Sequence, residues 1–172
     1  MSHSQVHHEI DDPVISIGVL AQRVGLSVSA VRRYETEGLL IAHRSGSGRR
    51  LYSHQDISRV QNIQHLIQDS GLNIEGIRRM QALLPCWDLL PCSAELCKSC
   101  LAYRAGSRPC WMVRGGACAA KEGQCRQCDV YRWGSLCTEE IKGLLHDQTM
   151  SQDSSAAVRQ LVDRKKRSRE EG

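Results

Sequence analysis

The stretch SVSAVRRYETEGLLIAHRSGSGRRLYS, residues 27–53, decides the fold expected for this chain. Its first part places Val28, Val31 and Tyr34 at helical spacing behind Ser27, a residue type that favours helix N-termini. Gly38 then ends the predicted helix. The second part is rich in Arg, Ser and Gly and runs into Leu51, which predicts a basic β-hairpin. We therefore expect a helix followed by a hairpin. The hairpin, residues 44–52, is called the wing below.

Another helix is predicted directly before this stretch. Ser16 can cap a segment whose apolar residues Ile17, Leu20 and Val24 recur at helical spacing, and Gly25 supplies the turn after it. Two short helices joined in this way form a helix-turn-helix, whose second helix enters the major groove of DNA. Contacts with the groove are therefore predicted for Ser27, Ser29, Ala30 and Arg33.

The wing carries two glycines and three arginines between residues 44 and 52. Glycine permits a sharp turn and a close approach of the backbone to a phosphate, and guanidinium groups bind phosphate through charge-assisted hydrogen bonds. Phosphate contacts are therefore predicted for Arg44, Arg49 and Arg50. A solvated basic loop is the alternative.

Two further helices are predicted between the wing and the first proline of the cysteine-rich part. Ser53 opens a capping box with Asp56, and the helix that follows stops at Gly71. Asn73 can cap the next helix, which reaches Leu84. The apolar stripes of both helices are predicted to pack the core, and they comprise Ile57, Val60, Ile63, Leu66, Ile67, Ile74, Ile77, Met80, Leu83 and Leu84.

Six motifs lie in order along residues 15–84. They are IGVLA at 17–21, GLSVS at 25–29, VRRYE at 31–35, EGLL at 37–40, RSGSGRRLY at 44–52 and DSGL at 69–72. Together they resemble the N-terminal domain of MerR-type transcription regulators. The resemblance implies binding to double-stranded promoter DNA, usually as a homodimer that distorts the DNA spacer, with RNA polymerase as a further partner.

The same resemblance implies roles for individual residues. It assigns contacts with the DNA backbone to Arg32, Tyr34, Gly48, Arg50 and Tyr52. The family often has tyrosine where this chain has Arg33 and Arg49, which adds positive charge. The long helix that pairs two subunits in the family is interrupted here by prolines and glycines after Leu84, so dimers must form differently.

The composition bounds the class of protein. A chain of 172 residues holds one domain or two small ones. Its formal net charge of +4 permits a nucleic-acid partner. No stretch approaches the roughly 20 apolar residues of a membrane helix, so we expect a cytoplasmic protein without a membrane partner. We find no paired carboxylates, activated nucleophile or phosphate loop, and an enzyme is not expected.

Four segments and a mainly α fold are predicted. Residues 1–13 form a flexible arm, residues 14–84 a winged helix-turn-helix domain and residues 85–134 a small cysteine-rich, metal-binding domain. Residues 135–172 are expected to form a short helix, capped by Thr138, and a basic tail. The tail is predicted to be solvated, with a DNA-backbone contact as the alternative.

The cysteine-rich part contains an internal repeat over 85–104 and 109–132. The first copy runs PCW at 85–87, then Cys92, CKSC at 97–100 and YR at 103–104. The second runs PCW at 109–111, then Cys118, CRQC at 125–128 and YR at 131–132, with both gaps lengthened by two residues. We therefore expect two pseudo-symmetric units of one domain.

Clustered thiols in a reducing compartment indicate metal or redox chemistry rather than stable disulfides. Four thiols per copy suit tetrahedral zinc, our first choice, and equally suit an iron–sulfur cluster, our second. Ligands of one site can also come from both copies, and thiol–disulfide switching is a further alternative. The predicted ligands are Cys86, Cys92, Cys97, Cys100, Cys110, Cys118, Cys125 and Cys128.

These features predict a sequence-specific, DNA-binding transcription regulator whose cysteine-rich domain senses metal, redox state or a small molecule. One alternative is a structural zinc module used for dimerisation or partner recruitment, with no sensing role. A second is an adaptor that binds nucleic acid incidentally. Binding by such an adaptor is salt-dependent but indifferent to sequence.

Overall fold

The computed structural model describes residues 11–84, 86–90, 92–113, 125–137, 159–160, 162–164 and 166–167. Two compact units make up the chain, residues 1–77 and residues 78–172. Among the described residues, no helix has the length and apolar character needed to cross a membrane. The arm at residues 1–10, the helix predicted after Thr138 and Cys118 lie outside the described residues.

Helices dominate the described structure, which confirms the mainly α fold. The elements of the first unit are β1 (Ile15–Ser16), α1 (Ile17–Arg23), α2 (Val28–Thr36), β2 (His43–Arg44), β3 (Arg50–Tyr52) and α3 (His54–Gln68). Helix α4 (Ile74–Ala82) crosses the boundary between the units. The elements after it are α5 (Cys86–Leu89), α6 (Ala94–Ser99), α7 (Leu101–Ala105), 3-10 turns at Cys110–Met112 and Cys125–Gln127, and α8 (Asp129–Cys137).

The helix caps predicted at Ser16, Ser27 and Ser53 are confirmed. The Ser27 hydroxyl accepts a hydrogen bond from Ala30 N at 3.1 Å, and that of Ser16 accepts one from Val19 N at 3.4 Å. Ser53 and Asp56 form the full capping box, in which Ser53 N donates to Asp56 Oδ2 at 2.8 Å. These bonds satisfy backbone donors that the first turn of a helix leaves free, and so fix where the helices begin.

A three-stranded antiparallel sheet with strand order β1-β3-β2 connects the wing to the start of α1. Ile15 pairs with Tyr52 across β1 and β3, and Arg44 pairs with Arg50 across β2 and β3. The short strand β1 was not predicted from the sequence. It anchors the base of the wing beside the N-terminus of α1.

The core of the first unit collects apolar residues from every helix and from β3. Leu20, Val31, Leu39, Tyr52 and Ile63 are fully buried. Within α3 the predicted stripe is only partly confirmed. Its central members Val60, Ile63 and Leu66 are buried, whereas Ile57 and Ile67 are half-buried.

In the second unit α8 packs on α5 and on the Cys125–Gln127 turn, and Val130 and Tyr131 are buried. The described residues between 159 and 167 have helical backbone. Val162 among them is 3% exposed, and Lys166 Nζ lies 2.8 Å from Asp129 Oδ2. The prediction of a solvated tail is therefore wrong for Val162, and Lys166 is half-buried in an ion pair, whereas the other described residues of this segment are exposed.

Candidate DNA-binding surface and cysteine-rich repeat

Helix α2 presents a polar, basic face to solvent. The turn before it is closed by a hydrogen bond from Leu26 N to Ala21 O at 2.9 Å. On one side of α2, Val31 and Tyr34 pack into the core, while Arg32 and Arg33 are exposed on the other. Burial of the apolar side therefore determines which side chains can reach a nucleic acid.

The first turn of α2 contains the predicted groove residues Ser27, Ser29 and Ala30. The Ser27 hydroxyl caps the helix and also lies 2.8 Å from Ser29 Oγ. Both serines are exposed and Ala30 is half-buried. The positive end of the helix dipole at this turn favours a nearby phosphate or an acceptor on a base edge. Contact of these residues with DNA stays a prediction.

The wing is a tight hairpin held by its own backbone. Gly48 N donates to Ser45 O at 2.8 Å, and Ser45 N donates to Arg49 O at 3.0 Å. Gly48 has a φ of +79°, in the left-handed region that side-chain-bearing residues disfavour. The side chains of Arg44 and Arg49 are exposed beside this turn, as phosphate contacts require.

Arg50 joins the wing to α2. Its Nε lies 2.8 Å from Oε2 of Glu35, with side chains that are 35% and 15% exposed. Because the pair is half-buried, Arg50 is held in place rather than sampling solvent. The guanidinium remains accessible enough for a phosphate to approach its outer side, so the contact predicted for Arg50 stays a prediction.

Two of the residues assigned to the DNA backbone by resemblance are buried instead. Tyr52 has no exposed surface and Tyr34 is 8% exposed. Burial raises the pKa of both phenols, and the nearby carboxylate of Glu35 raises that of Tyr52 further. A direct DNA contact does not fit the position of Tyr52, because its ring fills the core beneath the wing. Sequence position alone does not reveal this burial.

Two polar residues that position the surface were missed from the sequence. Arg59 is 3% exposed on α3, and its Nε donates to Leu39 O, just after α2, at 2.7 Å. Gln64 Nε2 donates to Val24 O, at the end of α1, at 3.1 Å. Their interruption of the apolar stripe of α3 is the signal that could have identified them.

The two copies of the repeat have corresponding aromatic pairs. Trp87 meets Tyr103 edge to face, with ring centroids 4.9 Å apart and planes at 71°. Trp111 meets Tyr131 in the same way, at 5.2 Å and 87°. Such contacts add stability beyond the area they bury. Residues at matching positions of the repeat thus make matching contacts.

The two Cys-x-x-Cys runs share one backbone hydrogen bond, although Cys97 lies in helix α6 and Cys125 begins a 3-10 turn. Cys100 N donates to Cys97 O at 3.2 Å, and Cys128 N donates to Cys125 O at 3.1 Å. In each copy the last cysteine then begins a helix that carries the Tyr-Arg pair, α7 in the first and α8 in the second. The repeat read from the sequence is therefore repeated in part of the local structure, namely this hydrogen bond and the helix after it.

The described thiols do not yet form a metal site. Within the part of the chain that the structure describes, no three His, Cys, Asp or Glu side chains gather in a group able to hold a metal ion. All four cysteines of the first copy are included in that statement. Cys118 of the second copy lies outside the described residues, and the predicted set of eight ligands stays a prediction. Cys86 and Cys110, from different copies, line one cavity.

Comparison with known proteins places the first unit among helix-turn-helix regulators. Residues 15–84 match the family model described as MerR HTH family regulatory protein. The putative heat shock protein HspR of Streptomyces coelicolor is 40% identical over 70 residues, which cover 41% of this chain and 46% of that protein.

Two further relatives carry the name of HTH-type transcriptional regulators. TnrA of Bacillus subtilis is 36% identical over 75 residues, covering 44% of this chain and 68% of the relative. GlnR of Bacillus anthracis is 34% identical over 68 residues, covering 40% and 52%. The chain thus spans about half the length of HspR and GlnR and about two thirds of TnrA.

Proposed function

Because the chain belongs to the MerR family of helix-turn-helix regulatory proteins, we propose that it is a sequence-specific transcription regulator that binds double-stranded promoter DNA. Membership of a family of regulators also agrees with the expectation that the chain is not an enzyme. The relatives match less than half of this chain. The role proposed for the cysteine-rich half therefore rests on the residues of that half alone.

The observation that carries this proposal is the exposure of basic side chains on α2 and on the wing, two elements joined by an ion pair. Arg33 on α2 and Arg49 on the wing are exposed, and the Glu35–Arg50 ion pair ties the two elements together. A helix in the major groove with a wing on the flanking backbone reads bases with one element and phosphates with the other. The early residues of α2 would give specificity, and the wing arginines affinity.

Selection from a pool of random duplexes tests sequence specificity. We expect one enriched motif, and binding to it at least about a thousandfold tighter than to scrambled DNA at the same salt concentration. Fluorescence anisotropy over a salt series measures both affinities. Equal affinity for selected and scrambled duplexes would leave the adaptor as the better description of the protein.

The cysteine-rich half is proposed to receive the signal that modulates DNA binding. Eight thiols arranged in two copies of one sequence repeat support a metal, cluster or redox role, and the aromatic pairs of the two copies make matching contacts. The thiols of one site come either from a single copy or from both copies, and Cys86 and Cys110, from different copies, line one cavity. Zinc remains the first choice and an iron–sulfur cluster the second.

Metal content and the visible absorption spectrum of protein purified without oxygen test this part. Iron with sulfide and a brown colour would indicate a cluster, and stoichiometric zinc in a colourless protein would indicate a zinc site. Metal-free protein that binds its operator normally would contradict metal binding as the source of the signal.

A homodimer on a pseudo-palindromic site, acting together with RNA polymerase, completes the proposal. The family membership supports both partners, and the described helices after α4 are short, which favours a dimer interface other than one long helix. Light scattering with and without operator DNA tests the dimer. Monomers under both conditions would exclude it.

A further inference from the structure

A cavity of about 200 Å³ lies within the second unit. Its apolar wall comes from the end of α4 and from Val130 of α8, and the rings of Trp87 and Tyr103 stand on another side. Arg108 and the thiols of Cys86 and Cys110 also line it. Pockets for drug-sized ligands have volumes of about 300–1,000 Å³, so this smaller cavity suits a molecule built on one ring.

Gln81 is the unusual residue of the cavity. Its side chain is 1% exposed, yet neither Nε2 nor Oε1 has a hydrogen-bond partner among the described residues. A buried carboxamide without partners is unfavourable, because it has lost its water without replacement. Gln81 lines the cavity, so a rotation of its side chain would bring the carboxamide to a ligand with a hydrogen-bonding edge.

The repeat provides an independent comparison. In the second copy the aromatic pair is part of the core, since Tyr131 is 3% exposed. In the first copy the corresponding Tyr103 is 49% exposed and Trp87 is 39% exposed, although the two rings keep the same edge-to-face contact. The same aromatic unit is thus covered by protein in one copy and left open beside the cavity in the other.

We propose that this cavity binds a small aromatic carboxylate with a polar ring substituent or ring nitrogen. The ring would lie against Trp87 and the apolar wall, as aromatic groups prefer. The carboxylate would face the exposed guanidinium of Arg108, which can bind it through two hydrogen bonds. The polar ring position would pair with the carboxamide of Gln81. The role of this ligand as an effector rests on the proposed regulator function, whereas its binding does not.

A metal is the competing occupant, because Cys86 and Cys110 also line the cavity. A carboxamide is a poor ligand for the soft, thiolate-preferring metals, so a metal held by Cys86 and Cys110 would leave Gln81 without a hydrogen-bond partner, whereas the organic ligand would supply one. Metal analysis of the same preparation distinguishes the two. Stoichiometric zinc or iron that disappears in the Cys86→Ser and Cys110→Ser variants and blocks ligand binding would overturn the proposal.

Titration calorimetry of the full chain in reducing buffer tests the site with four probes. Nicotinate and 4-hydroxybenzoate are expected to bind saturably, with Kd below about 1 mM. Benzoate lacks a partner for Gln81, and nicotinamide lacks the charge for Arg108. Each is expected to bind at least about tenfold more weakly. Failure of both nicotinate and 4-hydroxybenzoate to bind would overturn the proposal.

Three variants locate the binding. Gln81→Met and Arg108→Gln are expected to weaken binding at least about tenfold, whereas Arg104→Gln, an exposed arginine outside the cavity lining, should leave it unchanged. Gln81→Met should also unfold at the same temperature as the unmodified protein or a higher one, because it removes an unpaired polar group. A lower midpoint would show that Gln81 serves the fold and would contradict its role in binding.

DNA binding with and without ligand is measured separately on the selected operator. A ligand that binds the protein and shifts operator affinity at least about threefold supports an effector site. Ligand binding without any change in operator affinity would reject the effector role, while the proposal of a binding site would stand. Loss of specific DNA binding with ligand binding intact would instead refute the proposed regulator function.

Discussion

Arg50 Nε lies 2.8 Å from Glu35 Oε2, so the wing and α2 are joined by an ion pair. Arg50 also stands directly opposite Arg44 in the β2–β3 pairing, where two like charges repel. Glu35 therefore offsets a repulsion built into a hairpin that concentrates positive charge. The basic surface depends on one acidic residue for its geometry.

Replacing Arg50 and Arg49 separately distinguishes charge from geometry. Arg49→Ala should weaken binding to all sequences and lower the salt slope by about 0.9, as expected for one lost phosphate contact. Arg50→Ala should do the same and also lower the free energy of unfolding by at most about 1 kcal/mol, since the ion pair is partly exposed. Anisotropy and urea titrations measure both effects.

Lys98→Ala is the control, because it removes one exposed charge from α6, outside the proposed contact surface. A slope unchanged by Arg50→Ala would remove that residue from the contact surface.

The wing turn permits a matched comparison of its two glycines. Gly48 has a φ of +79°, whereas Gly46 is not in the left-handed region, and an added Cβ would meet nothing within 4 Å at either position. Gly48→Ala should therefore destabilise the protein by about 1 kcal/mol and weaken DNA binding, while Gly46→Ala should do neither. Thermal unfolding and anisotropy measure the two outcomes. Equal behaviour of the variants would mean that the turn relaxes freely.

Arg59 tests whether the helix-turn-helix is supported from α3. Its buried Nε donates to Leu39 O at 2.7 Å, and Arg59→Met keeps much of the side-chain volume while removing the donor. We expect a loss of about 1.5 to 3 kcal/mol in urea unfolding, as for a hydrogen bond made by a charged group. Gln61→Met, at an exposed position of the same helix, should change stability little. A cost below that range for Arg59→Met would mean that water replaces the bond.

The parts of this structure that follow from local chemistry were predictable from the sequence. The capping serines and Asp56 act within four residues, so their pattern determines the helix starts. Strand β1 has two residues and depends on pairing with β3, which no local periodicity reveals. Burial of Tyr52 likewise depends on what packs over it. The repeat predicted two pseudo-symmetric units, but it predicted neither the Trp–Tyr contacts within them nor the different exposure of the two pairs.

Tyr52 makes stability depend on alkaline pH. Burial and the Glu35 carboxylate raise its pKa in the folded state above the ordinary value of 10.0. The folded state therefore holds the phenol proton more tightly than the unfolded state, and its contribution is fully present below about pH 10. Stability should fall as the pH rises above that value.

Urea unfolding between pH 8 and 11 tests this dependence. The decline in the free energy of unfolding should be smaller for Tyr52→Phe. Tyr103 is exposed, so Tyr103→Phe should follow the unmodified protein. Identical declines in all three proteins would contradict this assignment.

The unequal burial of the two aromatic pairs predicts unequal costs of truncation. Tyr131 is 3% exposed and Tyr103 is 49% exposed, although each makes an edge-to-face contact with the tryptophan of its own copy. Tyr131→Ala should cost about 3 kcal/mol or more, because it removes a large buried side chain and leaves a cavity. Tyr103→Ala should cost roughly 1 kcal/mol, since it loses the ring contact and little buried area. Urea unfolding of both variants measures the difference. Equal large costs would mean that Tyr103 is covered in solution by a partner copy or by a bound molecule. If a partner copy covers it, the loss of unfolding free energy in Tyr103→Ala would depend on protein concentration.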